Sequence, residues 1–201
     1  MIELVVATRN RHKTREIQPI LGPEFSVRDL GAHPEVSKIR ESGTSFEENA
    51  KLKALAASKQ LPALVIGDDS GLEVDALGGA PGIYSARYAG AKATDTDKID
   101  RLLRELARVR ATEDGRRARF RCVVALARNG NLLGTFEGIV EGSIADEARG
   151  DSGFGYDPIC VPDGFEQTFG ELPTGVKNAM SHRAKAIRAL ADRLQRLELG
   201  G

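Results

Sequence analysis

Tryptophan is missing from the 201 residues, aromatic side chains make up only 5%, and cysteine is held to two. So little cysteine excludes a disulfide-stapled scaffold. Cys122 and Cys160 do not form a metal-spaced cluster, so they read as reduced, partly buried small hydrophobes and zinc is not expected. An excess of one charge is also lacking, because 29 Lys+Arg balance 29 Asp+Glu. The chain therefore has no overall polyelectrolyte attraction to nucleic acid, though a local cationic pocket for a small anion fits that balance. Apolar runs such as 64–66 and 123–127 fall far short of the roughly 20 residues of a membrane span. No secretory leader precedes the strand-like start, and no repeat, low-complexity tract or linker divides the chain. These absences predict one folding unit in the cytoplasm, with neither nucleic acid nor membrane as partner.

What is present alternates between two periodicities. Residues 2–7 are β-branched and apolar on both faces, as in a buried strand, and 13–21 have the composition of a helix, which leaves 8–12 as a loop at a strand's end. A second strand is expected over 25–30. Ser45 and Glu48 make the capping pattern S-x-x-E ahead of a helix to about residue 60, where Pro62 stops it. Residues 63–67 read as a buried strand running into Asp68-Asp69-Ser70-Gly71, with a short strand over 72–75 beyond. Gly78, Gly79, Pro81 and Gly82 mark a loop; a helix from about residue 96 then puts Ile99, Leu102, Leu103 and Leu106 on one face. Residues 118–128 and 132–145 are strand-like and flank Asn129-Gly130-Asn131, a hairpin signal. After an irregular stretch over 146–173, Ser181 is placed to cap a last helix striped by Ile187, Leu190, Leu194 and Leu197. The class is α/β, and the hairpin requires a mixed sheet.

Several residues carry chemical possibilities. Glu41, Asp68 and Asp69 offer the oxygen ligands that a magnesium ion prefers. Neighbours on a strand point to opposite faces, so Asp68 and Asp69 share a site only if the chain turns at Ser70-Gly71; otherwise they form a solvated acidic loop. Lys13, Lys53 and Lys177 are point charges suited to a polyphosphate, and each alone also reads as a surface lysine. Thr8 and Asn10 precede a helix whose free N–H groups favour an anion, without a Walker loop. Gly153-Phe154-Gly155-Tyr156-Asp157 is either a base-stacking segment or a turn around a buried aromatic. His182 and Arg183 place cations at a helix start, where they are tolerated at the surface or used on an anionic or carbonyl group. Tyr84 and Tyr88 are packing or interface residues, and His12 and His33 have no partner pattern.

Taken together, Thr8-x-Asn10-x-x-Lys13, the run from Glu41 through Ser45, Glu48 and Asn49 to Lys53-Ala54, Asp68-Asp69-Ser70-Gly71-Leu72, the run from Gly78 to Tyr88, Phe154-Gly155-Tyr156-Asp157-Pro158 and Ser181-His182-Arg183 resemble the inosine triphosphate pyrophosphatase family. The blocks follow the family's order and spacing across nearly the whole chain. The resemblance implies an elongated mixed sheet flanked by helices, in two lobes with a central cleft, as a homodimer. It implies hydrolysis of non-standard purine nucleoside triphosphates (ITP, dITP, XTP) to a monophosphate and pyrophosphate, with Mg2+ as cofactor. Under it, Thr8, Arg9, Asn10, Arg11, His12 and Lys13 hold phosphates, Lys53 adds charge, and Glu41 and Asp69 serve magnesium. Asp69 is the implied proton acceptor, assisted by Asp68 and Lys13. Ser70, Phe154, Gly155, Tyr156, Asp157, Lys177, His182 and Arg183 match nucleotide-binding positions, mostly around the base.

This chain departs from the pattern at Arg9, where a small residue is common, at 170–175, where proline and glycines precede Lys177, and at Ala184, where glycine is common. Two rival readings are a Maf-like nucleotide pyrophosphatase and a catalytically silent nucleotide-binding module.

Overall fold

The computed structural model describes residues 2–112 and 114–198, the last three of these by backbone alone, so Leu197 of the expected stripe lies outside the described side chains. Six strands form one mixed sheet: β1 (Ile2–Val6), β2 (Phe25–Asp29), β3 (Leu64–Val74), β4 (Arg117–Arg128), β5 (Asn131–Ile144) and β6 (Cys160–Pro162), in the order β2-β1-β3-β4-β5-β6. The helices are α1 (Arg11–Leu21), α2 (Phe46–Ser58), α3 (Asp95–Arg108), α4 (Thr174–Met180) and α5 (His182–Glu198). β1 runs parallel to both β2 and β3, while β6 runs antiparallel to β5. Asn129 (φ 52°) and Gly130 (φ 76°) supply the two positive-φ positions of the β4–β5 hairpin, as their sequence predicts.

Among the described residues the chain gathers into two compact units, one of residues up to 69, 122–138 and from 182, the other of 70–121 and 139–181. In the first, side-chain alternation sorts the sheet into two faces. Leu4, Val6, Ile66, Val124 and Leu126 pack with Ile17 and Leu21 of α1 and with Ile187, Leu190 and Leu194 of α5. Val5, Ala7 and Val65 point the other way, onto Ala57 of α2 and Leu61 just beyond it. In the second unit Leu72, Val74, Ala118, Phe120, Val140 and Ile144 meet Ile99, Leu102 and Leu106 of α3. A fully buried leucine such as Leu102 or Leu106 contributes about 1.5–3 kcal/mol.

The helix starts are locally encoded. Ser45 Oγ accepts from Glu48 N at 3.1 Å, but Glu48 reaches one residue beyond a standard capping box, accepting from Thr44 N at 2.6 Å. Thr94 and Asp97 form a complete box at α3. Asn10 caps α1 through His12 N at 3.0 Å, so Arg11 and His12 belong to the helix and the expected loop is shorter.

Three other expectations are corrected. β3 does not end at Gly67 and turn at Ser70-Gly71; it runs unbroken through all four residues to Val74. The stretch over 146–173 contains β6, too short to show a period. An additional helix, α4, lies between Pro173 and Ser181, so the unusual proline is its cap residue, and Ser181 ends it just ahead of α5.

Two glycines let helices approach the sheet. A Cβ on Gly67 would lie 2.1 Å from Ala50 O of α2, and one on Gly138 would lie 2.0 Å from His182 O of α5. Gly67→Ala and Gly138→Ala are each expected to lower the unfolding free energy by about 3 kcal/mol. Gly175→Ala, with nothing within 4 Å, should leave it unchanged or raise it by about 0.5–1 kcal/mol. Urea titration of the three variants checks this contrast.

Candidate active site

Because β3 stays extended, Asp68 and Asp69 fall on opposite faces of the sheet, and each meets the helix packed there. On the α1/α5 face Asp68 is fully enclosed. Arg183 Nε donates to its Oδ2 at 2.8 Å, and Lys13 Nζ pairs with its Oδ1 and donates to its backbone carbonyl at 3.2 Å. Glu16 pairs with Arg183 Nη1, and Cys122 Sγ lies 3.5 Å from Asp68 Oδ2. Burial alone would push the Asp68 carboxyl up, but Arg183 and Lys13 outweigh it and hold the group well below the usual carboxylate range. The same closeness to Asp68, followed by Glu16, overcomes burial and raises the Arg183 pKa. Two cations and two carboxylates thus gather around one another, and Asp68 is held as an anion at neutral pH.

That set revises two readings. Asp68 is neither solvated nor poised to take a proton, and Arg183 is buried, not tolerated at the surface. Its cationic head at the start of α5 is offset by carboxylates from β3 and α1. Glu16 went unrecognised in the sequence; its only signal is the i, i+3 spacing from Lys13 on α1.

The α2 face is built differently. Lys53 Nζ donates to Asp69 Oδ1 at 2.8 Å and to Glu41 Oε1 at 3.1 Å, drawing the two carboxylates around one ammonium. Asp69 Oδ2 is buried and has no hydrogen-bond partner among the described residues. Burial raises the Asp69 pKa, with Lys53 only partly offsetting it. Lys53 is raised as well, since Asp69 and then Glu41 outweigh its own burial. An open carboxylate oxygen beside a second carboxylate suits a hard divalent cation. No group of three or more His, Cys, Asp or Glu side chains stands together among the described residues, so substrate and water oxygens would complete the shell of an ion held here.

At the end of β1, Thr8 Oγ1 accepts from Asn10 N at 3.1 Å. Arg9 sends its guanidinium to the carbonyls of Leu30 and Val36, 3.0 Å in each case, while Leu30 N donates to Thr8 O at 3.0 Å. The departure at Arg9 is therefore a brace between two loops. Arg11 and His12 are exposed on the first turn of α1.

In the second unit, Asp157 Oδ2 accepts from Phe154 N at 2.8 Å and from Lys177 Nζ at 2.5 Å, and Lys177 Nζ sits 4.9 Å from the Phe154 ring centroid. Gly155 N donates to Asp95 Oδ2 at 2.7 Å and Tyr156 OH to Ser85 O at 3.0 Å. This segment is a turn with a buried Tyr156, half-buried Phe154 and a seated Lys177 in α4. Ser70 is half-buried on β3, and His182 is buried as the first residue of α5. Tyr88 is a packing residue bonded to Glu105, whereas Tyr84 is exposed beneath Arg87.

The two aspartates are expected to respond oppositely to one substitution. Asp68→Asn leaves Arg183 buried against an uncharged partner and should cost about 3–5 kcal/mol in chemical denaturation. Asp69→Asn should change stability by much less. Since Asp68 is depressed in the fold, its contribution is complete above an unfolded value of about 3.9 and is lost as pH falls through the folded one. The stability gap between parent and Asp68→Asn should therefore close in acid, and a gap independent of pH would refute the assignment.

The Ham1 family model matches residues 4–193. The dITP/XTP pyrophosphatase of Bacillus licheniformis is 47% identical over 195 residues, covering 95% of this chain and 97% of that one. The Bacillus subtilis protein of the same name is 44% identical over 196 residues, covering 97% and 98%. Among solved structures, a HAM1 protein from Coxiella burnetii superposes with a TM-score of 0.87 at 40% identity, covering 98% of this chain and 100% of that one. The Ham1 protein of Staphylococcus aureus gives a TM-score of 0.83 at 40% identity, covering 96% and 98%. The resemblance carried by the motifs and the mixed α/β fold are both borne out: the chain belongs to the Ham1 family.

Proposed function

We propose that the protein hydrolyses ITP, dITP and XTP to the nucleoside monophosphate and pyrophosphate, and so removes non-standard purines from the nucleotide pool. The observation that carries this reading is the cluster on the α2 face of β3, where Lys53 gathers Glu41 and Asp69 and leaves Asp69 Oδ2 open. Relatives named dITP/XTP pyrophosphatase, matched over nearly the full chain, support the substrate class. Neither the Maf-like reading nor the silent binding module is favoured by these relatives.

Water attacks the α-phosphorus: a bond forms from the water oxygen to phosphorus, and the bond to the α,β-bridging oxygen breaks, the electron pair leaving with pyrophosphate. Asp69 takes the proton of that water. An ordinary aspartate is a weak base, and the raised pKa that burial gives Asp69 moves it toward the task. Lys53 and Lys13 offset charge on the phosphates, with Thr8 and Asn10 at the start of α1 where N–H groups favour anions. Glu41 and Asp69 would hold Mg2+, which when bound supplies positive charge to phosphate oxygens and makes bound water more acidic.

A carbonyl at purine position six accepts a hydrogen bond where adenine's amino group donates, so a donor aimed there selects hypoxanthine and xanthine over adenine. Arg183 already gives Nε and Nη1 to Asp68 and Glu16, which makes it first of all a positioning residue. We assign the base to the Phe154–Asp157 segment with Lys177 and Ser70. The reading includes a cytoplasmic setting, where nucleoside triphosphates are made and used, and a homodimer, checked by light scattering.

Pyrophosphate release from ITP, dITP, XTP, GTP, ATP and dTTP, with Mg2+ and with chelator, tests the proposal. Rapid release from the first three only, abolished by chelator, is expected. Asp69→Asn should lower turnover by about 100-fold or more. Near-parental turnover in that variant would remove Asp69 as the base.

A further inference from the structure

Asn49 lies on α2 one turn before Lys53 and is 1% exposed. It has no role in the reaction as described, yet it is joined to the segment that carries Glu41. Gly43 N donates to its Oδ1 at 2.9 Å. Because that contact needs an acceptor, the amide orientation is fixed, and Nδ2 is the atom left buried without a partner among the described residues. A buried amide donor left open costs about 1–3 kcal/mol, so the fold keeps Asn49 here against its local interest.

The joint is tight from both sides. A Cβ on Gly43 would lie 2.7 Å from Glu48 Cβ and 2.8 Å from Asn49 Oδ1. Thr44 adds two bonds to Glu48 Oε2, from N at 2.6 Å and from Oγ1 at 2.9 Å. The segment after Glu41 is thus fastened to the first turns of α2, the helix that presents Lys53 to Asp69. Glu41 itself meets Lys53 Nζ at 3.1 Å and is about a third exposed, so the course of the backbone that carries it bears on where its carboxylate stands.

We propose that Asn49 is a positioning residue for Glu41: through the Gly43 amide it sets where that carboxylate stands relative to Asp69, and so sets the affinity for Mg2+. The inference rests on the metal reading given under the proposed function. Its strength comes from geometry that exists without the ion.

The test is Mg2+ binding without nucleotide, by calorimetry and by the Mg2+-induced shift in Tm, for the parent, Glu41→Gln, Asn49→Ala, Asn49→Asp and Gly43→Ala. Each Tm is also measured without metal, so that loss of fold is separated from loss of binding. Glu41→Gln should abolish or greatly weaken binding. Asn49→Ala and Gly43→Ala, which break the joint from opposite sides, should each weaken it about tenfold. Asn49→Asp keeps the acceptor for Gly43 N and should bind at least as tightly as the parent. The half-saturating Mg2+ for ITP turnover should rise in step for the two alanine variants. Parental binding by Asn49→Ala beside loss in Glu41→Gln would overturn the positioning role and leave the metal reading standing, as would equal weakening in Asn49→Asp and Asn49→Ala. No binding by the parent, or parental binding by Glu41→Gln, would overturn the metal reading and the inference with it.

Discussion

Two carboxylates that are neighbours on an unbroken strand must point to opposite faces of a sheet. From that constraint at Asp68 and Asp69 the rest of the site follows. Each face is covered by different helices, and each helix brings its own cation: Lys13 and Arg183 from α1 and α5 to Asp68, Lys53 from α2 to Asp69. One sequence pair thereby becomes two environments of opposite character. Asp68 is enclosed by two cations and locked in its charged form. Asp69 has one cation, a competing carboxylate and an unused oxygen, and burial keeps its proton affinity high.

The division matches the roles proposed for the two aspartates, holding for Asp68 and reacting for Asp69. A buried charge is stabilising only when its partners are complete, and the Asp68 side satisfies that rule down to Glu16 behind Arg183. The Asp69 side breaks it, which supports the role proposed for Asp69, since consistent folds break local rules mainly where function requires it. Close packing of the helices on the sheet, through Gly67 and Gly138, brings both sets within reach of the strand.

Much of this was legible in the sequence, and the remainder was hidden for identifiable reasons. Periodicity and turn chemistry gave β1, β2, α2, α3 and the Asn129-Gly130 hairpin nearly residue for residue, since each depends on local preferences. The motif blocks gave the family. The strand break imagined at Ser70-Gly71 did not occur, because pairing within the sheet overrode the local preference of serine and glycine. β6 and α4 are too short for a period to emerge. The partners of Arg183 and Arg9 depend on chain segments distant in sequence, 115 residues for Asp68 and 21 and 27 for Leu30 and Val36. No local pattern can announce such pairings, so the alternative of a cation tolerated at the surface stayed open for Arg183 until its burial against Asp68 and Glu16 was seen.

The Lys53 ammonium between Glu41 and Asp69 has a consequence for how the molecule comes into being. Two carboxylates brought together with nothing between them would repel and would require a metal before the chain could close around them, as in small domains that stay unfolded until loaded. Here the chain carries its own counter-ion. The repulsion is relieved by a side chain that arrives with the fold itself, so the two carboxylates can be enclosed together with nothing supplied from outside.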